Sequence, residues 1–257
     1  MASNQPMAHV QVFVDVDALL DGAADVVVRA AAASIEARGL FTLALSGGST
    51  PQGLYRRLAS AAWRDRIDWA RVHLFWGDER CVPPTHDASN YRMARESLID
   101  HVPVPPAHVH RMHGEDAPDS AAVDYETELR ATLGARPHND LGAFDLVLLG
   151  LGADGHTASL FPGMPSGRLV TRWVVAEHVD TVRGWRITLT PPVLNAARAV
   201  VFLVAGDDKA PALAAVLEGP VRPSALPAQR IADGARHVRW LVDRRAAARL
   251  ARTPLIT

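Results

Sequence analysis

A single cysteine, Cys81, in 257 residues removes any internal disulfide framework. No long uncharged apolar run occurs, so no segment is expected to span a bilayer or serve as a secretory signal. Neither charge dominates: 27 basic against 28 acidic residues leave a formal net charge of −1, too little to recruit nucleic acid or an anionic membrane. An anionic ligand must then be held by a few local charges. Internal repeats and low-complexity linkers are also missing, which leads us to expect one folded unit over residues 9–257 after a short polar, disordered start at 1–8. A cytoplasmic protein, monomeric or a small homo-oligomer, is the expectation.

The residues present include 48% hydrophobic and 21% charged side chains, enough for a substantial core. Val10–Val16 alternates as a strand near a sheet edge would, and a helix follows with Asp17 as N-cap and Gly39 as stop. Further strands are expected at Phe41–Leu45, Val72–Trp76, Phe144–Leu149, Val200–Ala205 and His237–Val242. Helices are expected at Gln52–Ala62, from Asn90 to about Ile99, at Ala117–Leu133, at Pro191–Ala197, after Lys209 to about Glu218, and at Arg244–Arg252. The stretch up to Gly142 reads as a loop and Ala225–Gln229 as a connector. Trp173–Val179 and Trp185–Leu189 lie close enough in sequence to form an antiparallel hairpin. The series predicts a single α/β unit, a Rossmann-like three-layer sandwich with a mostly parallel sheet and helices on both faces.

Several of these strands end in residues suited to chemistry, and in open α/β sheets ligands sit beyond the carboxyl ends of strands. After Phe41–Leu45, Gly47, Gly48, Ser49 and Thr50 combine free backbone N–H groups at a helix start with two hydroxyls, which is a phosphate cradle. A plain Ser/Thr-capped turn is the alternative. A nucleotide P-loop is excluded because GxxxxGK[ST] is absent. Asp78, Glu79 and Arg80 follow Val72–Trp76, as either a solvated loop or the rim of the same site. Asp154 and His156 follow the apolar run that ends at Leu149, Lys209 follows Val200–Ala205, and Arg186 lies in the hairpin. Cations with backbone donors suit a phosphate dianion, whereas a histidine beside carboxylates suits proton transfer at a second point.

Three other chemistries fit less well. Gly150, Gly152 and Gly155 spell G-x-G-x-x-G, with Glu177 near the ribose-acid distance. Yet Pro162, Gly163, Pro165 and Gly167 would stop the helix that a dinucleotide site needs, so no organic cofactor is expected. His108, His110 and His113 lack a Glu or Cys at zinc spacing, so no metal is expected either. A serine hydrolase would need G-x-S-x-G, which is absent, and Cys81 has no nucleophile signature.

Taken in order, LSGGSTP, WGDERCVP with a following SNYRMA, LGLGADGHTASLFPG, WRITLTPPVLNAARAVVFLVAG and DDKAPAL resemble the glucosamine-6-phosphate isomerase/6-phosphogluconolactonase family, on its lactonase side. The resemblance runs from the first strand to Lys209 and beyond. Deaminases of the same family carry DEY where this chain has Asp78, Glu79 and Arg80. They also carry an Ala-Phe-Asn-Glu run after DGH, where this chain has Thr157, Ala158, Ser159 and Leu160. The resemblance implies hydrolysis of 6-phospho-D-glucono-1,5-lactone in the oxidative pentose phosphate pathway without metal or cofactor, a phosphorylated sugar lactone being the only partner. It implies His156 as general base, Arg186 and Lys209 as phosphate clamp with Arg80, Ser49 and Thr50 beside them, and Asp78 or Asp154 as the residue that orients the histidine or the water. Gly47 or Gly48 would supply oxyanion donors. The alternatives are a glucosamine-6-phosphate deaminase and a non-catalytic sugar-phosphate sensor. The sensor is expected to need a DNA-binding segment ahead of the fold, for which a first strand near residue 10 leaves no room.

Overall fold

In the computed structural model, which describes residues 9–134, 143–182 and 184–251, the chain alternates strands and helices from its first element. The disorder expected at 1–8, the loop up to Gly142 and the expected helix end at Arg252 lie outside the described residues.

The strands β1 (His9–Phe13), β2 (Phe41–Leu45), β3 (Val72–Trp76), β5 (Leu146–Leu149), β8 (Val200–Val204) and β9 (Val238–Asp243) form one six-stranded sheet in the order β1-β9-β8-β5-β2-β3, with β1 at an edge. Every pairing in it is parallel. Three shorter strands, β4 (Asp78–Arg80), β6 (Val174–Val179) and β7 (Gly184–Leu189), make a separate antiparallel sheet in the order β4-β7-β6. The hairpin expected from sequence is therefore present, in a sheet of its own.

Side-chain alternation along the strands builds the layers. Leu43, Leu45, Leu74, Trp76, Leu146, Leu148, Val201 and Leu203 pack with α1 (Val16–Arg38), α2 (Ser49–Ala59) and α3 (Asn90–Ser97). Their neighbours Ala44, Phe75, Val147, Leu149, Val200, Phe202 and Val204 face the other way. They pack with α4 (Pro118–Gly134), α5 (Pro191–Ala196), α6 (Ala210–Leu217) and α7 (Pro227–Gly234). The second sheet joins this latter core through Val174, Ile187 and Leu189.

Four local expectations are corrected. The N-cap of α1 is Asp15, whose carboxylate accepts the Ala18 N–H at 2.9 Å, and Asp17 lies in the first turn. Helix α2 starts at Ser49, three residues before Gln52, because Gly48 rather than a hydroxyl side chain ends the loop. Ala225–Gln229 is not a connector: Pro227 opens α7, where its missing N–H costs nothing. The basic terminal helix is only a 3-10 turn, Ala246–Arg249, whose first N–H is taken by the Asp243 carboxylate at 2.8 Å. Among the described residues no helix is long and apolar enough to cross a membrane.

Candidate active site

The carboxyl ends of β2, β5 and β8 and the start of the second sheet surround a cavity of about 330 Å³. It is lined by Gly47, Gly48, Ser49, Thr50, Asp78, Arg80, His156, Arg186 and Lys209. Of the residues singled out from sequence for this site, Asp154 stands behind His156 and Glu79 is buried beside Asp78, and neither is on its wall. A larger cavity of about 910 Å³ lies at the amino ends of the strands, among Arg198, Arg236 and Arg239. None of the candidate residues reaches it, so size alone does not locate the chemistry.

Each group is placed by a feature of the local chain. The loop after β2 is clasped by Tyr55, a fully buried residue of α2 whose hydroxyl pairs with both the N–H and the C=O of Ser46 at 2.8 Å. The loop then opens into α2, where the N–H groups of Ser49 and Thr50 come before the first bond of the helix, Gln52 N–H to Gly48 O at 3.0 Å. At Gly77 the chain leaves the parallel sheet, donating to Leu45 O at 2.8 Å, and enters β4. Asp78, Glu79 and Arg80, read from sequence as a possible solvated loop, are a strand with both acids buried.

The loop after β5 is not the start of a helix. It turns through Gly152–Gly155, and no helix follows the glycines within the described residues until a 3-10 turn at Pro165–Arg168, which is incompatible with a dinucleotide fingerprint. Gly152 is required by contact: a Cβ there would lie 2.1 Å from His156 Nδ1. His156 Nδ1 pairs with Asp154 Oδ1 at 2.6 Å, and the same oxygen accepts the His156 N–H at 3.1 Å. Phe161 covers one face of the ring, with centroids 4.4 Å apart. With Nδ1 engaged by the carboxylate, Nε2 is the nitrogen left to take a proton. Asp154, not Asp78, is thus the acid beside the histidine.

The cations converge from three elements. Arg80 and Arg186 are cross-strand partners in the second sheet, and Arg186 has its pKa lowered by burial and then by the Arg80 charge. Two guanidiniums held side by side on a cavity wall favour an anion between or above them. Lys209 ends a 3-10 turn after β8 and reaches Asp208 at 3.1 Å. It is the only lysine of the chain; the other 26 of its 27 basic residues are arginines. That singularity was a signal available in the sequence. Cys81 packs beside the core, and burial lifts its thiol to about 11, so it is no thiolate nucleophile.

The triple-histidine segment makes no strand: it forms a 3-10 turn at Pro106–His108 and one bridge from Val109 to Leu74. His110 pairs with His73 Nδ1 at 2.9 Å and with Glu128 at 2.5 Å. Among the described residues no group of His, Cys, Asp or Glu is placed to hold a metal ion. Sequence reasoning missed Ser46, Thr157 and Ser159 on the cavity wall, and gave Asn90 only as a helix start.

Arg80, Arg186, Lys209 and a histidine–carboxylate pair at one cavity on the carboxyl rim of a parallel sheet are the make-up of an α/β enzyme class suited to binding a phosphorylated small molecule and moving a proton on it. Comparison places the chain within that class. Residues 14–240 match the family described as glucosamine-6-phosphate isomerases/6-phosphogluconolactonase, and the chain belongs to it. It is 41% identical over 239 residues to a 6-phosphogluconolactonase of Synechocystis, covering 93% of this chain and 96% of that one. With the 6-phosphogluconolactonase of Mycobacterium tuberculosis it shares 40% identity over 249 residues, covering 95% and 98%. The solved 6-phosphogluconolactonase from Trypanosoma cruzi superposes with a TM-score of 0.83 at 28% identity, covering 95% and 97%.

Proposed function

We propose that this chain hydrolyses 6-phospho-D-glucono-1,5-lactone to 6-phosphogluconate in the oxidative pentose phosphate pathway, with His156 as general base. The observation that carries the assignment of the base is the 2.6 Å contact between His156 Nδ1 and Asp154, on the wall that also holds Arg80, Arg186 and Lys209. The phosphate is bound by Arg186 and Lys209, aided by Arg80 and by the hydroxyls and N–H groups of Ser49 and Thr50. His156 Nε2 takes a proton from water as its oxygen bonds to C1. Backbone N–H groups at Gly47 or Gly48 stabilise the oxyanion of the tetrahedral intermediate. As the carbonyl re-forms, the C1–ring oxygen bond breaks, and the imidazolium returns the proton to that oxygen. Asp154 holds the ring and stabilises its charged form, as a carboxylate behind a catalytic histidine does. The sequence reading further supports a cytoplasmic protein, monomeric or a small homo-oligomer, that binds neither nucleic acid nor membrane.

The test is lactone hydrolysis measured above the spontaneous rate. The wild type should accelerate it, and His156→Ala should lower kcat by roughly 10²- to 10⁴-fold with little change in phosphate affinity. Asp154→Asn should also lower kcat. A His156→Ala variant of near-normal kcat would remove the histidine from the mechanism.

A further inference from the structure

With Asp154 occupying the imidazole, Asp78 needs another role. The residue is 8% exposed and lies on the cavity wall. Oδ2 accepts the Ser159 hydroxyl at 2.6 Å, and Oδ1 faces Asn90 Nδ2 at 3.3 Å. The same Asn90 amide donates to the Asp78 main-chain carbonyl at 2.9 Å. Asn90 is fixed in turn, because its N–H donates to the buried Glu79 carboxylate at 2.7 Å. Its side-chain amide also lies so close to the cradle that a Cβ on Gly47 would sit 2.1 Å from its oxygen.

Ser159 is built into the same rung of the second sheet. Asp78 and Thr188 are cross-strand partners; Ser159 donates its N–H to Thr188 Oγ1 at 3.2 Å and its hydroxyl to Asp78. The turn that brings it there passes through Ala158 at φ 47°, the one non-glycine residue with positive φ among those described. Local strain of this kind persists where the surroundings enforce it.

Two protein donors thus hold an acceptor-only group with lone pairs to spare on a wall otherwise rich in donors. A phosphate and a lactone carbonyl offer only acceptors and would be repelled by it. Of the sugar lactone's own groups only its hydroxyls can donate to Asp78, and a role on the attacking water instead would leave the deoxy penalties equal in the wild type and Asp78→Ala. Resting on the lactonase reading above, we infer that Asp78 recognises a ring hydroxyl of the sugar lactone, and that Ser159 and Asn90 are positioning residues that aim its carboxylate.

The experiment compares kcat/KM for 6-phosphogluconolactone and its 2-, 3- and 4-deoxy analogues in the wild type, Asp78→Ala and Ser159→Ala. Loss of a hydrogen bond to a charged group should cost the wild type roughly 10- to 100-fold on one analogue. The same analogue should cost Asp78→Ala less than about threefold, with Ser159→Ala between the two. A merely structural role would lower all four substrates by one common factor in each variant. Equal deoxy penalties in the wild type and Asp78→Ala would overturn the proposal. If Asp78→Ala does not fold, a Ser159→Ala protein with wild-type discrimination does the same. Failure of the wild type to accelerate the parent lactone would instead sink the lactonase reading, so the two failures are distinct.

Discussion

At the scale of the residue, one charged side chain is chemically unique in this protein. Lys209 carries the only side-chain amine, in a chain whose other basic residues are arginines. Arginine holds a phosphate in a flat, forked geometry, whereas lysine offers a compact charge on a flexible stem. Keeping one lysine at the cavity fits a point contact that the forked group would overfill. Brief treatment with an amine-reactive reagent should therefore inactivate the enzyme through one internal modification, and 6-phosphogluconate should protect it. Mass spectrometry would locate the label. Lys209→Ala should raise KM for the phosphorylated lactone by about one to two decades, since a charged hydrogen bond contributes about 1.5–3 kcal/mol. Inactivation without modification at Lys209, or a KM unchanged in the variant, would contradict its role.

At the scale of the element, two buried tyrosines fix the strand ends from which the site is built. Tyr55 clasps Ser46, and Tyr125, equally buried in α4, pairs with the N–H of Trp76 at 2.9 Å and its C=O at 3.2 Å. Tyr55→Phe strands a backbone donor and acceptor away from water, which costs about 1–3 kcal/mol. Calorimetry should show a lowered Tm, and kinetics a raised KM if the loop that Ser46 opens holds the phosphate as proposed. A KM unaffected by Tyr55→Phe would show that the clasp serves stability alone. Neither clasp was legible in the sequence, since nothing local marks which backbone a buried hydroxyl meets. By contrast the buried parallel strands were legible, because an apolar run such as Leu146–Leu149 that ends in glycines has few other uses, whereas the edge strand read as Val10–Val16 is His9–Phe13 and Val16 already opens α1. β4 was hidden for the opposite reason. Asp78, Glu79 and Arg80 look solvated until Ser89, Asn90 and Tyr91 are seen to satisfy Glu79. Near the same helix, Arg111 holds the Glu115 carboxylate at 2.6 and 2.9 Å and pulls its pKa down to about 2 from 4.5. The unfolded chain binds that proton more readily. The pair's stabilisation is therefore present above about pH 4.5 and fades as the pH falls towards 2. Because water screens the pair, its worth is below about 1 kcal/mol. Glu115→Gln should thus lower Tm slightly near neutrality and leave it level with the wild type in strong acid.

At the scale of the whole molecule, one parallel sheet gathers loops that are far apart in sequence, and what those loops omit decides between two reactions. A deaminase must open a sugar ring and then shift a proton between carbons. It therefore needs a carboxylate beside C2 and a second acid helping the histidine. Asp78 is on the wall for the first task, aimed by Ser159 and Asn90. For the second task the described segment after His156, Thr157 to Phe161, brings up no carboxylate. The segment after His156 contributes Thr157, whose hydroxyl donates to Gly150 O at 2.9 Å, then Ser159, committed to Asp78, then the Phe161 ring lying against the imidazole. An apolar ring cannot relay a proton. Lactone hydrolysis asks for less: a base for water and one returning proton, both within reach of a single histidine, and donors for an oxyanion, which backbone N–H groups can supply. Incubation with glucosamine 6-phosphate should release no ammonia, while 6-phosphogluconolactone should disappear well above its spontaneous rate. Ammonia released without any acceleration of lactone loss would reverse the assignment.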